Sequence, residues 1–163
     1  KKLTHAARDE KIQSLLKVDY HYQEGEADFN RALMNWTQLR EIQASELVEI
    51  GSHSHTHPIL SRETQEQVNS EVRLSKQRIE AELNNKVTSF CYPNGQTDDF
   101  RDTELIELKK CDYKAAVTAE FGLVSSEDNL LLPRFGGDFI KFQQAKKYID
   151  GLEYYQRKIL DRN

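Results

Sequence analysis

Leu47-Val48-Glu49-Ile50-Gly51-Ser52-His53-Ser54-His55-Thr56-His57-Pro58 is the stretch on which the reading of this chain turns. Its first half is apolar enough for a strand, and Gly51-Ser52 ends that strand. Three of the chain's 5 histidines follow within five residues. Neutral imidazole is the commonest metal ligand among protein side chains. His53 and His57, with three residues between them, can converge on one ion and leave positions open for carboxylate and water. A solvated polar loop whose rings do nothing is the other reading. Placement at the C-terminal end of a strand favours a site, because α/β folds build theirs there.

Outward from this segment the pattern alternates. Downstream, Arg62 to Leu83 carries Val68, Val72, Ile79 and Leu83 at helical spacing. Ser61 is one N-cap candidate, and Thr64 with Gln67 offers a capping box as the alternative. Lys86 to Tyr92 reads as a second strand, stopped by Pro93-Asn94-Gly95. A short helix from Asp102 to Lys110 follows, holding Leu105 and Leu108. Tyr113 to Thr118 and Leu130 to Phe135 are a third and a fourth strand, the last closed by Gly136-Gly137. Phe142, Ala145, Ile149, Leu152 and Ile159 lie on one face of a C-terminal helical segment interrupted by Gly151.

Upstream, Thr37 is a plausible N-cap for a short helix that turns Leu39, Ile42 and Leu47 inward. Residues 1–35 are the least legible. Ala6 to Val18 has the spacing of a helix, and the polar stretch His21 to Asn30 reads as a loop or a peripheral insertion. The chain therefore divides into an N-terminal segment or insertion, 1–35, and one α/β unit, 36–163. Strands alternating with helices imply a mostly parallel sheet or barrel. Four legible strands are too few for a closed barrel of eight, so an open or incomplete arrangement fits best.

Composition sets outer bounds. With 163 residues the chain is long enough for one domain with a core. Hydrophobic residues make up 37% and charged ones 31%, yet 7 Phe, 7 Tyr and 1 Trp are spread along the chain as a packed domain requires. A formal charge of −4 and the lack of a basic stripe argue against nucleic acid as a partner. No apolar run approaches the roughly 20 residues of a membrane span. KKLTHAARDE contains no apolar core of a secretory signal. The 2 cysteines, Cys91 and Cys111, form neither a disulfide framework nor a metal knuckle, and both read as packing residues.

A second chemical segment is Phe90-Cys91-Tyr92-Pro93-Asn94-Gly95, at the end of the next strand. Such a turn can aim backbone N–H groups into the same cleft, where they would stabilise an oxyanion. An ordinary turn with no such duty is the alternative. Together, His53-Ser54-His55-Thr56-His57 and Cys91-Tyr92-Pro93-Asn94-Gly95 resemble motifs of the polysaccharide deacetylase family, carbohydrate esterase family 4, with its NodB-homology domain. Ala115 to Gly122 and Leu132-Pro133-Arg134 are similar to one branch of that family. The resemblance covers about residues 34 to 136.

The resemblance implies a partial or distorted (β/α) barrel and metal-dependent hydrolysis of acetyl groups on a polysaccharide. Of the two linkages the family acts on, N-acetyl is favoured over O-acetyl and both stay open. The resemblance makes His53 and His57 ligands of Zn²⁺ or another divalent ion, joined by an Asp. It gives the Asn94 N–H to the oxyanion, and sets Arg134 to orient a second Asp acting as general base. A cell-envelope or extracellular location is the family's habit. The early Asp-Asp motif that supplies both carboxylates is not found before His53. Thr97-Asp98-Asp99-Phe100 has a similar composition but lies beyond the Pro-Asn-Gly turn, and reads as the polar approach to the Asp102 helix. Nor is the late Leu-x-x-His motif of the general acid present. The expectation is that the Asp pair lies upstream of this chain. The alternative is a catalytically incomplete module that binds glycan or metal. Missing first strands would leave a sheet edge exposed, which a preceding segment or a second copy of the chain would cover.

Overall fold

The computed structural model describes Thr4, Glu10, residues 34–124 and residues 128–135. The expected helix from Ala6 to Val18, the polar stretch after it, His5, His21, Gly136-Gly137 and the C-terminal helical segment lie outside the described residues.

Helix α1 spans Trp36–Ala44. Its N-cap is Asn35 rather than Thr37, because the Asn35 side chain accepts from the Gln38 N–H while Gln38 returns a bond to the Asn35 N–H. Leu39 and Ile42 are only half-buried, and Leu47, expected to turn inward, is 88% exposed. Helix α1 ends before Leu47, at the Ser45 C-cap, so the periodicity that would have turned it inward is broken.

Helix α2 spans Gln65–Leu83. Of the two expected starts, Thr64 with Gln67 is the one used, as a reciprocal capping box. Ser61 lies instead in a 3₁₀ turn, Leu60–Arg62, and donates to the Asp98 carbonyl. Val68, Val72 and Leu83 are buried, with Ile79 packed against them, as their spacing predicted. Asn84 closes the helix in the left-handed conformation. Strand β1, Ser89–Cys91, then leads through a second 3₁₀ turn, Thr97–Asp99, to helix α3, Asp102–Lys110, and strand β2, Ala115–Val117.

Strands β1 and β2 pair in parallel, Phe90 opposite Ala116. Both are shorter than their apolar runs suggested. The expected first strand is reduced to one parallel bridge, Ser52 to Phe90, formed by Ser52 N–H to Ser89 O and Cys91 N–H to Ser52 O. Ahead of it, the Glu49 carboxylate, not the backbone, reaches Ser89 Oγ at 2.9 Å. The expected fourth strand is likewise one bridge, Val117 to Leu132. Pro133 follows directly and has no N–H to continue a ladder. Four chain segments thus lie side by side in sequence order, all parallel.

Helices α2 and α3 pack on each other and on one face of this sheet. Phe90, Tyr92, Val87 and Ala116 meet Val68, Val72 and Leu108 there, with Leu60, Tyr113 and Leu130 completing the core. Phe90 contacts Tyr92 and Tyr113 edge-on at 5.4 Å between centroids, and Tyr92 stacks on Phe100 at 4.2 Å. Trp36 meets the Arg78 guanidinium at 5.7 Å, tying α1 to α2. No helix among the described residues is long and apolar enough to cross a membrane.

Candidate metal centre

The histidine segment leaves the sheet at Ser52, which is 1% exposed. Its hydroxyl donates to Ser75 Oγ on α2 at 2.7 Å, and Ser75 in turn donates to Val72 O. That anchor fixes where the chain emerges from the core. Gly51 lets the backbone lie close to β1, for a Cβ there would stand 2.7 Å from Ser89 Oγ.

Beyond Ser52 the loop folds back on itself. Ser54 and His57 both occupy the left-handed region, with φ of 64° and 59°. Ser54 Oγ accepts from the His57 N–H at 3.0 Å. The fold-back brings His53 Nε2 and His57 Nε2 to 3.1 Å, with ring centroids 4.7 Å apart and planes at 77°. His53 Nδ1 lies 2.8 Å from the Cys91 carbonyl oxygen. A carbonyl only accepts, so Nδ1 carries the proton and, in the neutral ring, Nε2 keeps its lone pair. This is the outer bond that metal-ligating histidines characteristically make.

The residues present fit a divalent ion. Their separation is close to that of two imidazole nitrogens sharing an ion with bonds of about 2.0–2.1 Å. Both residues are exposed, so the site is open to solvent. Among the described residues no group of three or more His, Cys, Asp or Glu gathers here, so the pair lacks a carboxylate companion within them. His55 is exposed and makes no ring contact with the pair.

The other two predicted residues lie at the ends of neighbouring strands. Asn94 is exposed, with φ of 59°, and no group among the described residues accepts from its N–H. Gly95, at φ 76°, completes the turn, and its carbonyl accepts from the Ala119 N–H at 2.7 Å. Arg134 follows the Leu132 bridge, and its Nη1 lies 3.4 Å from Cys91 Sγ. Cys91 is thereby common ground: its carbonyl holds His53 and its sulfur faces Arg134. A cavity of about 380 Å³ opens beside them, lined by Gly51, Ser52, His53, Ser89, Phe90, Cys91, Ala115 and Val117. A larger one of about 500 Å³, lined in part by Phe100, Leu105, Phe121 and Leu131, touches none of the four predicted residues.

Residues 16–116 match the family model described as polysaccharide deacetylase. The chain belongs to the polysaccharide deacetylase family. No curated protein matches it. Among solved structures, the Streptococcus pyogenes deacetylase PplD in complex with acetate is similar at 25% identity and a TM-score of 0.59, over 68% of this chain and 46% of that one. The BpsB deacetylase domain from Bordetella bronchiseptica shares 20% identity at a TM-score of 0.57, over 63% of this chain and 48% of that one. A de-N-acetylase from Aggregatibacter actinomycetemcomitans shares 17% at 0.57, over 71% and 53%. The chain thus spans about half the length of these relatives.

Within this deacetylase family member, sequence reasoning missed Glu71. Its Oε2 accepts from the backbone N–H groups of His55 and Thr56, and its Oε1 from Thr56 Oγ1, each at 2.7 Å. Its position one turn before Ser75, on the side of α2 that meets the histidine loop, was the available signal. Downstream, Thr97–Asp99 form the 3₁₀ turn ahead of α3, in which Asp99 is buried and accepts from the Gln96 N–H.

Proposed function

We propose that this chain carries part of the active site of a divalent-metal-dependent polysaccharide deacetylase, removing acetyl groups from nitrogen of an aminosugar polymer. The convergence of His53 Nε2 and His57 Nε2 to 3.1 Å, with His53 oriented from behind by Cys91, carries the reading. These two residues would hold the ion. Zn²⁺ or a similar ion, when bound, supplies Lewis acidity and a water of lowered pKa. Asn94 presents an N–H that no described residue accepts from, suited to a developing oxyanion. Arg134, placed beside Cys91, is suited to hold a carboxylate base by charge-assisted hydrogen bonds. The base and a third ligand would come from carboxylates outside the described residues. Acetate, found with the Streptococcus pyogenes relative, is the product this reaction releases.

Sequential parallel neighbours with both helices on one face support closure into a distorted (β/α) barrel, in which the small Ser89 and Ala115 side chains would face inward beside Gly51. Residues 36–163 would then be the C-terminal part of that domain and residues 1–35 an N-terminal segment or insertion. The edge beside Ser52, which has no further strand among the described residues, would be met by a preceding segment or by a second copy of the chain. A second reading, a catalytically incomplete module that binds metal or glycan, rests on the lack of a carboxylate beside the pair among the described residues.

Acetate release from an N-acetylated aminosugar polymer, assayed with the native gene product and Zn²⁺, separates the two. The enzyme reading expects release that His53→Ala and His57→Ala each abolish. Metal uptake without any release supports the incomplete module.

A further inference from the structure

Glu71 stands outside the histidine pair, yet every hydrogen bond its carboxylate accepts comes from the segment between the two rings. That segment holds Ser54 and His57 at φ of 64° and 59°, conformations that side-chain-bearing residues keep only when their surroundings enforce them. Two of the enforcing bonds are local or come from the sheet: the His57 N–H donates to Ser54 Oγ, and His53 Nδ1 donates to the Cys91 carbonyl. The remaining three converge on one carboxylate, from His55 N–H, Thr56 N–H and Thr56 Oγ1. Successive N–H groups on a single ionised oxygen are charge-assisted bonds, about twice as strong as neutral ones. They fasten the loop to α2, the helix whose Ser75 already anchors Ser52.

We infer that Glu71 is the positioning residue of the metal pair: it holds the 54–57 loop folded back so that the two Nε2 atoms face one point before any ion arrives. This rests on the metal reading for its consequence, but not for the loop geometry itself. The stems of the two imidazoles are fixed at His53 by the sheet and at His57 by the loop. Without Glu71 the His57 stem keeps the Ser54 bond and the buried Pro58 that follows it, and the loop between the rings loses its tie to α2, so the second ring is freer to leave the first.

The test uses the 163-residue chain, isotopically labelled, as wild type, Glu71→Gln, Glu71→Ala and Thr56→Val. Without metal, NMR reads the NOE between the His53 and His57 ring protons and the hydrogen exchange of the His55 and Thr56 amides. With metal, Co²⁺ titration reads affinity from its visible absorption. In Glu71→Ala the inter-ring NOE should vanish, the two amides should exchange at least ~10-fold faster, and Co²⁺ affinity should fall about 10–100-fold. Glu71→Gln, whose remaining carbonyl oxygen can still accept both N–H groups, should recover most of the NOE and affinity. A folded Glu71→Ala with unchanged NOE, exchange and affinity overturns the inference. Should Glu71→Ala fail to fold, Thr56→Val decides: faster exchange at Thr56 supports the inference, and no change overturns it. A wild type that takes up no Co²⁺ defeats the metal reading, while the metal-free NMR comparison still decides the role of Glu71.

Discussion

Ser52 Oγ donates to Ser75 Oγ across 2.7 Å inside the core, one residue before the first histidine of the pair. The position of His53 is therefore set by a hydroxyl pair between sheet and helix. Ser75→Ala removes the acceptor and leaves the buried Ser52 hydroxyl with only the Tyr113 phenol beside it. A loss of about 1–3 kcal/mol in unfolding free energy is expected, read from urea denaturation. An unchanged midpoint would mean that Ser52 finds another acceptor and that the anchor is dispensable.

Gly95 is required by its turn. Its φ is 76°, and a Cβ would stand 2.8 Å from the Ala119 nitrogen, a backbone atom that cannot swing aside. Gly95→Ala should cost more than about 2 kcal/mol, the left-handed penalty of roughly 1–2 kcal/mol plus the clash. Under the proposed function acetate release should fall with it, because the same turn presents Asn94. Stability within about 0.5 kcal/mol of wild type, the range of a neutral surface change, would show that the turn relaxes freely.

Burial, aided by the charges of Asp128 and Glu104, pushes the Tyr92 phenol above its ordinary range. The hydroxyl donates to the Leu130 carbonyl at 3.0 Å. Its folded pKa thus exceeds its unfolded value, so the native state binds more protons wherever the unfolded phenol ionises. The contribution is fully present below about pH 10 and is lost as pH rises through the folded value. Tyr113, also raised chiefly by burial, acts in the same sense. Unfolding midpoints measured between pH 8 and 12 should fall above about pH 10, and less steeply in Tyr92→Phe. An identical slope in the variant would place the titration elsewhere.

Much of this was legible because it was local. The α2 start was written in Thr64 and Gln67, and its buried stripe in Val68, Val72 and Leu83. The spacing of His53 and His57 left a metal pair and a solvated loop both open, and the strand end before them favoured the pair. Strand lengths were not: Ser52 and Leu132 pair through single bridges, because a side chain replaces backbone pairing at Glu49 and Pro133 interrupts the other ladder. Asn35 outcompeted Thr37 because Gln38 could answer it and complete the box. Glu71 was invisible for a different reason. Two of its three partners are backbone N–H groups 15 and 16 residues away, which any residue type would offer, so no side-chain pattern marks them.

The account stands on two imidazoles gripping one cation. Anomalous diffraction at the zinc edge, from crystals of this chain grown with Zn²⁺, tests that most directly. The expected result is a single peak about 2.0–2.1 Å from both His53 Nε2 and His57 Nε2, with His53 Nδ1 still on the Cys91 carbonyl. Rings turned apart toward solvent, with no peak between them, would contradict it.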